Sequence, residues 1–244
     1  MAVSVATPMI QIQGLRKAFG LHLVLRGLDL TVAAGEKMAI FGPNGSGKTT
    51  LLKILATLMR ATSGRVAVAG FDVQQDPTQV RRSIGVVTHQ PLLYEELTAY
   101  ENLRFYSRMY DIPGLEHRID YLAHFLGFAK WLHERVRTLS NGMQKRVTIA
   151  RALLHDPPVL LLDEPDTGLD QEALRMLREV IQSTTLQGEA RTVLFTTHNL
   201  DEGLALGSRL GILTNGRMVY QGERGAVDAP SLHAMYSQLT GAGR

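Results

Sequence analysis

Hydrophobic and polar positions alternate, or run apolar, over residues 10–13, 28–32 and Lys37–Phe41, and each stretch predicts a strand. Ala33-Ala34-Gly35-Glu36 reads as the turn between the last two. Past residue 50 the period changes. Leu51, Leu52, Ile54, Leu55 and Leu58 recur at helical spacing, and Thr62-Ser63-Gly64 closes that element. Short strands are predicted at 65–69 and 84–88, with a turn at Gly70 and one or two helical turns over Pro77–Ser83 between them. The second of these strands ends in His89-Gln90-Pro91.

From about residue 92 to 139 the strand pattern vanishes. Tyr100, Leu103, Tyr106 and Tyr110, then Ile119, Leu122, Phe125 and Leu126, mark two helices separated by Pro113-Gly114. A third helix is predicted after Ser140, with Met143, Val147, Ala150 and Leu154 on one stripe. Together these predict a helical subdomain, about 92–155, inserted into an α/β core. The run Val159-Leu160-Leu161-Leu162 is continuously apolar, as in a parallel strand buried on both faces. Asp170 then caps a helix carrying Leu174, Leu177 and Ile181 on one face. A strand at 191–196 ends in Thr197-His198, and Arg209–Thr214 with 217–221 forms a hairpin at Asn215-Gly216 before a short helical tail.

Composition narrows the class. A chain of 244 residues has room for one compact α/β domain with a helical insert, so 1–244 is expected to be a single domain. No apolar run approaches the ~18–20 residues needed to span a bilayer. Residues 1–8 show neither a basic start nor a long apolar stretch, so no secretory signal is expected. The absence of cysteine excludes disulfides and thiolate metal sites. A net charge of +3 without any charge block reads as an ordinary solvated surface, and no nucleic-acid partner is expected.

The chemistry concentrates where the third strand meets the first helix. Gly42-Pro43-Asn44-Gly45-Ser46-Gly47-Lys48-Thr49-Thr50 fits the phosphate-loop pattern G-x-x-x-x-G-K-[ST] in the required strand-to-helix context. A loop free of bulky side chains turns its N–H groups inward, where the positive end of the helix also points. Lys48 is placed to reach the β- and γ-phosphates of a nucleoside triphosphate, and the Thr49 hydroxyl to ligate Mg²⁺. A ligand-free glycine-rich turn is the plain alternative, and Lys-Thr at the right offset argues against it.

Adjacent carboxylates at a strand end point in opposite directions. Asp163 is therefore expected in a Mg²⁺ shell, and Glu164 where an attacking water sits. Ser140 is an N-cap, and Gly142 leaves the first turn behind it uncovered, so a phosphate could approach both. Gln90 at a strand terminus could coordinate Mg²⁺ or hold water, yet a lone glutamine means little. Phe19, upstream of the phosphate loop, could stack on an adenine ring or simply pack. His198 could be catalytic or merely a satisfied polar residue at a strand end.

In this order the pieces resemble the ATP-binding subunit of an ABC transporter over nearly the whole chain. The family's Walker A motif matches residues 42–49, and its Walker B motif matches Val159–Asp163 with Glu164 beside it. Its signature L-S-G-G-Q appears as Leu139-Ser140-Asn141-Gly142-Met143, the Met being common among exporters of the simpler, non-domain-swapped type. The resemblance puts the Q-loop on Gln90, the switch histidine on His198, the D-loop on Gly168-Leu169-Asp170 and the adenine-stacking aromatic on Phe19. Asp166-Thr167 departs from it, because small or hydroxyl residues are more usual there.

The resemblance implies an ABC ATPase fold: a mostly parallel core, an antiparallel β subdomain and an inserted helical subdomain. It further implies ATP and Mg²⁺ as cofactors, and a head-to-tail homodimer in which Ser140 and Gly142 of one copy face the γ-phosphate held by Lys48 of the other. Glu164 would be the general base, with His198 and Lys48 stabilising charge. Integral membrane subunits would be the further partners, at the cytoplasmic face of the cell membrane. Residues 88–103 resemble haem-exporter ATPases of cytochrome c maturation. The alternatives are a drug, lipid or polysaccharide exporter, or a non-transport ABC ATPase, whose usual second cassette or long coiled coil this sequence lacks. Within the insert, Leu93, Tyr94 and Leu97 are the expected docking residues, and Leu103 and Tyr106 the insert's own core.

Overall fold

The computed structural model describes residues 8–241, so most of the stretch read for a secretory signal lies outside it. Strands β1 (Pro8–Phe19) and β2 (His22–Ala33) form a long antiparallel hairpin. Both extend well beyond the stretches predicted from alternation. Register shifts between Ile12 and Leu15, between Leu15 and Arg16, and again beyond Lys17, break the period of two. Gly14 and Gly27, at φ +58° and +82°, sit at these irregularities.

β3 (Lys37–Phe41) runs into α1 (Lys48–Leu55), which ends before Leu58 because Thr57 turns to φ +59°. β4 (Ser63–Val68) and the two-residue β5 (Phe71–Asp72) complete a four-stranded antiparallel sheet in the order β2-β1-β4-β5. Sequence patterning missed β5, which is too short to carry a period.

After α2 (Pro77–Ser83), β6 (Ile84–Val87) enters a second sheet. The helical insert follows, with α3 (Ala99–Ser107), α4 (Leu115–Phe125) and α5 (Asn141–Leu153). Then come β7 (Val159–Asp163), α6 (Gln171–Gln182), β8 (Thr192–Thr196), α7 (Leu200–Leu206), β9 (Arg209–Thr214), β10 (Arg217–Glu223) and α8 (Ala229–Thr240). Helix α7 was not predicted. At seven residues it has too few apolar positions to show a stripe, and its start is set by Asn199, whose side chain accepts from the Glu202 N–H.

The second sheet has the order β10-β9-β3-β8-β7-β6, parallel throughout except for the β9–β10 pair. Its inner strands are covered on both faces, which is why β7 reads as an unbroken apolar run. Leu160, Leu161 and Leu162 are all buried, each contributing roughly 1.5–3 kcal/mol by leaving water. The parallel strands end together at Phe41, Asp163 and Thr196, the edge where open α/β sheets hold ligands.

The insert is tied to the core behind that edge. Asp156, read from sequence only as part of a breaker, pairs with Arg191 and accepts the Leu186 N–H at 2.7 Å. Arg118 of α4 lies 3.6 Å from Asp156 and donates to the Leu153 carbonyl at 2.7 Å.

Candidate active site

At the carboxyl edge of the parallel sheet lies an open cavity of about 520 Å³. Residues 44–50, His22, Val24, His89, Asp163 and Glu164 form its wall. The loop in front of α1 demands glycine at two positions. A Cβ on Gly42 would lie 2.2 Å from the Leu213 carbonyl oxygen. Gly47 caps α1 at φ +108°, where a Cβ would lie 2.7 Å from Leu25. No side chain caps α1 and no acid stands in its first turn, so its N–H groups and positive end face the cavity.

Lys48 is 4% exposed, and its ammonium donates to the Gly42 and Pro43 carbonyls at 2.6 and 3.3 Å. It also lies 3.5 Å from Glu164 Oε1. Ser46 Oγ is buried without a hydrogen-bond partner among the described residues. A buried cation, an orphan hydroxyl and a bare helix start together fit a polyphosphate.

The opposite wall is built by β7 and β8, which pair Asp163 with Thr196. Thr196 Oγ1 donates to Asp163 Oδ1 at 2.9 Å and accepts the Glu164 N–H at 3.0 Å. Glu164 adopts φ +45°, a conformation that non-glycine residues seldom hold, and this turn swings its carboxylate away from Asp163 towards Lys48. His198 is 60% exposed on its side chain, with Nδ1 3.9 Å from Glu164 Oε2. Asp166 is also held: Thr197 Oγ1 donates to its Oδ2 at 2.9 Å. Burial keeps the Lys145 ammonium below the usual lysine range, while Asp166, Asp163 and Glu164 pull it back up.

The cavity residues fit one known family. Residues 25–167, more than half of the chain, match the family described as ABC transporter. The chain belongs to the ABC transporter family. It is an ATP-binding subunit and an ATPase. It is 38% identical over 201 residues to the ABC transporter ATP-binding protein NatA of Bacillus subtilis (strain 168), covering 81% of each chain. It is 35% identical over 220 residues to the Nod factor export ATP-binding protein I of Ralstonia nicotianae (strain ATCC BAA-1114 / GMI1000), covering 89% of this chain and 68% of the relative. Among solved structures, an ATP-binding subunit of an ABC transporter superposes with TM-score 0.86 at 29% identity, over 95% of this chain and 99% of the other. A dimeric bacterial ABC transporter cassette gives TM-score 0.81 at 28% identity, over 88% and 99%.

The other residues expected of an ABC ATPase site stand apart from the cavity wall. Gln90 is exposed just beyond it; Thr88 Oγ1 donates to the Gln90 carbonyl, and the bend leaves His89 on the wall instead. Phe19 is 47% exposed at the end of β1, with the Lys17 ammonium 4.8 Å from its ring centre. Ser140 caps α5 by accepting the Met143 N–H at 3.3 Å, and an added Cβ on Gly142 would meet nothing within 4 Å. Asp170 caps α6 through the Ala173 N–H at 2.8 Å. Thr196, His22, His89 and Lys145 were not singled out from the sequence. The first ends a largely apolar strand and the others become neighbours only through the fold.

Among the described residues no helix is long and apolar enough to cross a membrane.

Proposed function

We propose that this chain is half of the ATP-driven motor of an exporter, acting as a head-to-tail homodimer with separate membrane subunits at the cytoplasmic face of the cell membrane. The observation that carries this reading is the division of the site. Lys48, Asp163 and Glu164 converge on one cavity, whereas Ser140 and Gly142 at the start of α5 do not line it, and Ser140 is exposed. A second copy would bring Ser140 and Gly142 over the γ-phosphate held by Lys48, with Asp170 at the seam. The solved dimeric cassette supports such an arrangement.

In this reading the loop 42–50 cradles the triphosphate and Phe19 contacts the adenine. Glu164 takes the proton of the attacking water, while Lys48 and His198 stabilise charge on the transferred phosphoryl group. That transition state asks for positioning and electrostatics rather than covalent chemistry. The donor set suits Mg²⁺: a hydroxyl on Thr49 and a carboxylate on Asp163 both line the cavity, and no cluster of three His, Cys, Asp or Glu competes among the described residues. Mg²⁺ held there would neutralise the β- and γ-phosphate oxygens. Gln90, first exposed residue between the wall at His89 and the insert, is assigned to sensing that bound state and passing it to the helices.

The membrane partner is assigned to a groove of about 260 Å³ between the insert and β6. Leu92, Met109, Tyr106 and Leu58 line it, and all but Tyr106 are exposed. Leu103 lies in the core as expected; Tyr106 is half-buried, packs against that core and also walls the groove, donating to the Leu92 carbonyl at 2.6 Å. Of the residues expected to dock, Tyr94 is 51% exposed, its ring set edge-on to Phe105 at 5.1 Å. Leu93 and Leu97 are half-buried, and none of the three lines the groove.

For the cargo we favour a drug, lipid or polysaccharide, supported by the relative named for Nod factor export. A haem exporter of cytochrome c maturation is the second reading and rests on residues 88–103 alone. Reconstitution in liposomes with its membrane subunits tests the choice. Stimulation of ATPase activity by amphiphilic drugs or lipids is the expected result. Stimulation by haem alone would overturn it.

A further inference from the structure

Thr196 is fully buried at the end of β8, between β3 and β7, where its backbone partners in register are Ile40 and Asp163. We infer that the Thr196 hydroxyl is a positioning residue for the metal-facing carboxylate and for the backbone of Glu164. This rests on the proposed roles of Asp163 and Glu164.

The direction of both hydrogen bonds is forced. A backbone N–H only donates, so the bond from Glu164 N must end on Thr196 Oγ1. The single hydroxyl proton is then left for Asp163 Oδ1, which accepts it at 2.9 Å. With both partners fixed, the hydroxyl rotor has one orientation. An ionised acceptor makes this bond stronger than a neutral one. It also occupies Oδ1, and no described residue bonds Oδ2, which stays available to the cavity.

The second bond holds a strained turn. Glu164 sits at φ +45°, and its N–H is shared between Thr196 Oγ1 at 3.0 Å and the Thr196 carbonyl at 3.2 Å. That turn sends the Glu164 carboxylate towards Lys48, 3.5 Å away, and His198, 3.9 Å away. One buried hydroxyl therefore sets two adjacent carboxylates at different tasks. Valine would fill the same space and suit a strand equally well, but it lacks the hydroxyl.

The test compares Thr196→Val, which deletes the hydroxyl, with Thr196→Ser, which keeps it. Binding of a non-hydrolysable ATP analogue is titrated with and without Mn²⁺, alongside steady-state ATPase and thermal melting. For the valine variant we expect metal-free affinity within about twofold of wild type. We expect the enhancement of affinity by Mn²⁺ to fall about tenfold, and kcat about 10–100-fold, the range set by losing one hydrogen bond to a charged group. Serine should restore most of both. A melting valine variant with wild-type metal enhancement and kcat would overturn the inference, as would a serine variant as impaired as valine. If valine does not fold, the serine variant against Thr196→Ala decides by the same two readouts. Glu164→Gln measured in parallel separates the two claims: full activity there sinks the site reading itself, whereas an inactive Glu164→Gln beside a fully active Thr196→Val sinks only the role of Thr196.

Discussion

Lys48 Nζ and Glu164 Oε1 lie 3.5 Å apart across the cavity, joining the cation of the phosphate loop to the carboxylate beyond the acidic strand. In the proposed mechanism a γ-phosphate and the attacking water would come between them, so this contact would have to open when nucleotide binds. Removing either charge should therefore have different consequences for binding and for turnover.

Glu164→Gln keeps the volume and removes the proposed base. ATP binding should persist while hydrolysis falls by about 10²–10⁴-fold, the usual contribution of a positioned general base. Size-exclusion chromatography with ATP should then show a lasting dimer. Near wild-type turnover would mean that another group accepts the proton.

The proposed division of the site between copies predicts complementation. Lys48→Ala should weaken triphosphate binding within its own subunit. Ser140→Arg should leave binding in place but block closure, since a bulky cation would fill the partner's phosphate position. A mixture of the two variants can form one intact site per mixed dimer, so ATPase activity absent from either alone should return. A fully active Ser140→Arg variant would show that Ser140 meets no phosphate.

The groove predicts a separation of docking from chemistry. Met109→Asp in the groove, and Tyr94→Asp beside its wall residue Tyr106, place a charge on exposed apolar surface and should abolish pull-down of the membrane subunits while basal ATPase survives. Leu103→Asp serves as the contrast. Leu103 is buried in the core, so that variant should lose stability and ATPase together. Loss of ATPase in Met109→Asp would reassign this surface to the fold.

His155 predicts an acid dependence. Burial pushes its pKa down to about 4; the ring stacks on Tyr110 at 3.9 Å, with Nε2 3.0 Å from the Ile84 carbonyl. The folded state resists a proton that the unfolded chain accepts near pH 6.5, so the unfolded chain binds more protons between the two values. Stability should therefore be full above about pH 6.5 and decline as pH falls towards 4, by about 2–3 kcal/mol. Chemical denaturation over that range should show a flatter profile for His155→Gln. An unchanged slope would place the acid sensitivity elsewhere.

The sequence alone determined the phosphate loop, the buried acidic strand and the helical insert, because each is written in residues close together in the chain. Glycine spacing before Lys48 and the apolar run ending at Asp163 depend on local backbone needs and on burial of a parallel strand. The hairpin was legible only in part, since bulges at Gly14 and Gly27 interrupt its alternation. Tertiary structure alone decided what meets at the site. Thr196 lies 33 residues from Asp163 in the chain, yet parallel pairing of β7 with β8 sets its hydroxyl between the Asp163 carboxylate and the Glu164 N–H. Strand order placed His89 on the cavity wall and left Gln90 outside, because a bend of one residue decides which side chain faces in. Asp166 looked like an unexplained extra acid until the end of β8 supplied Thr197 as its partner. Such contacts carry no period in sequence: they follow from which strands become neighbours, and that is settled by packing of the whole sheet.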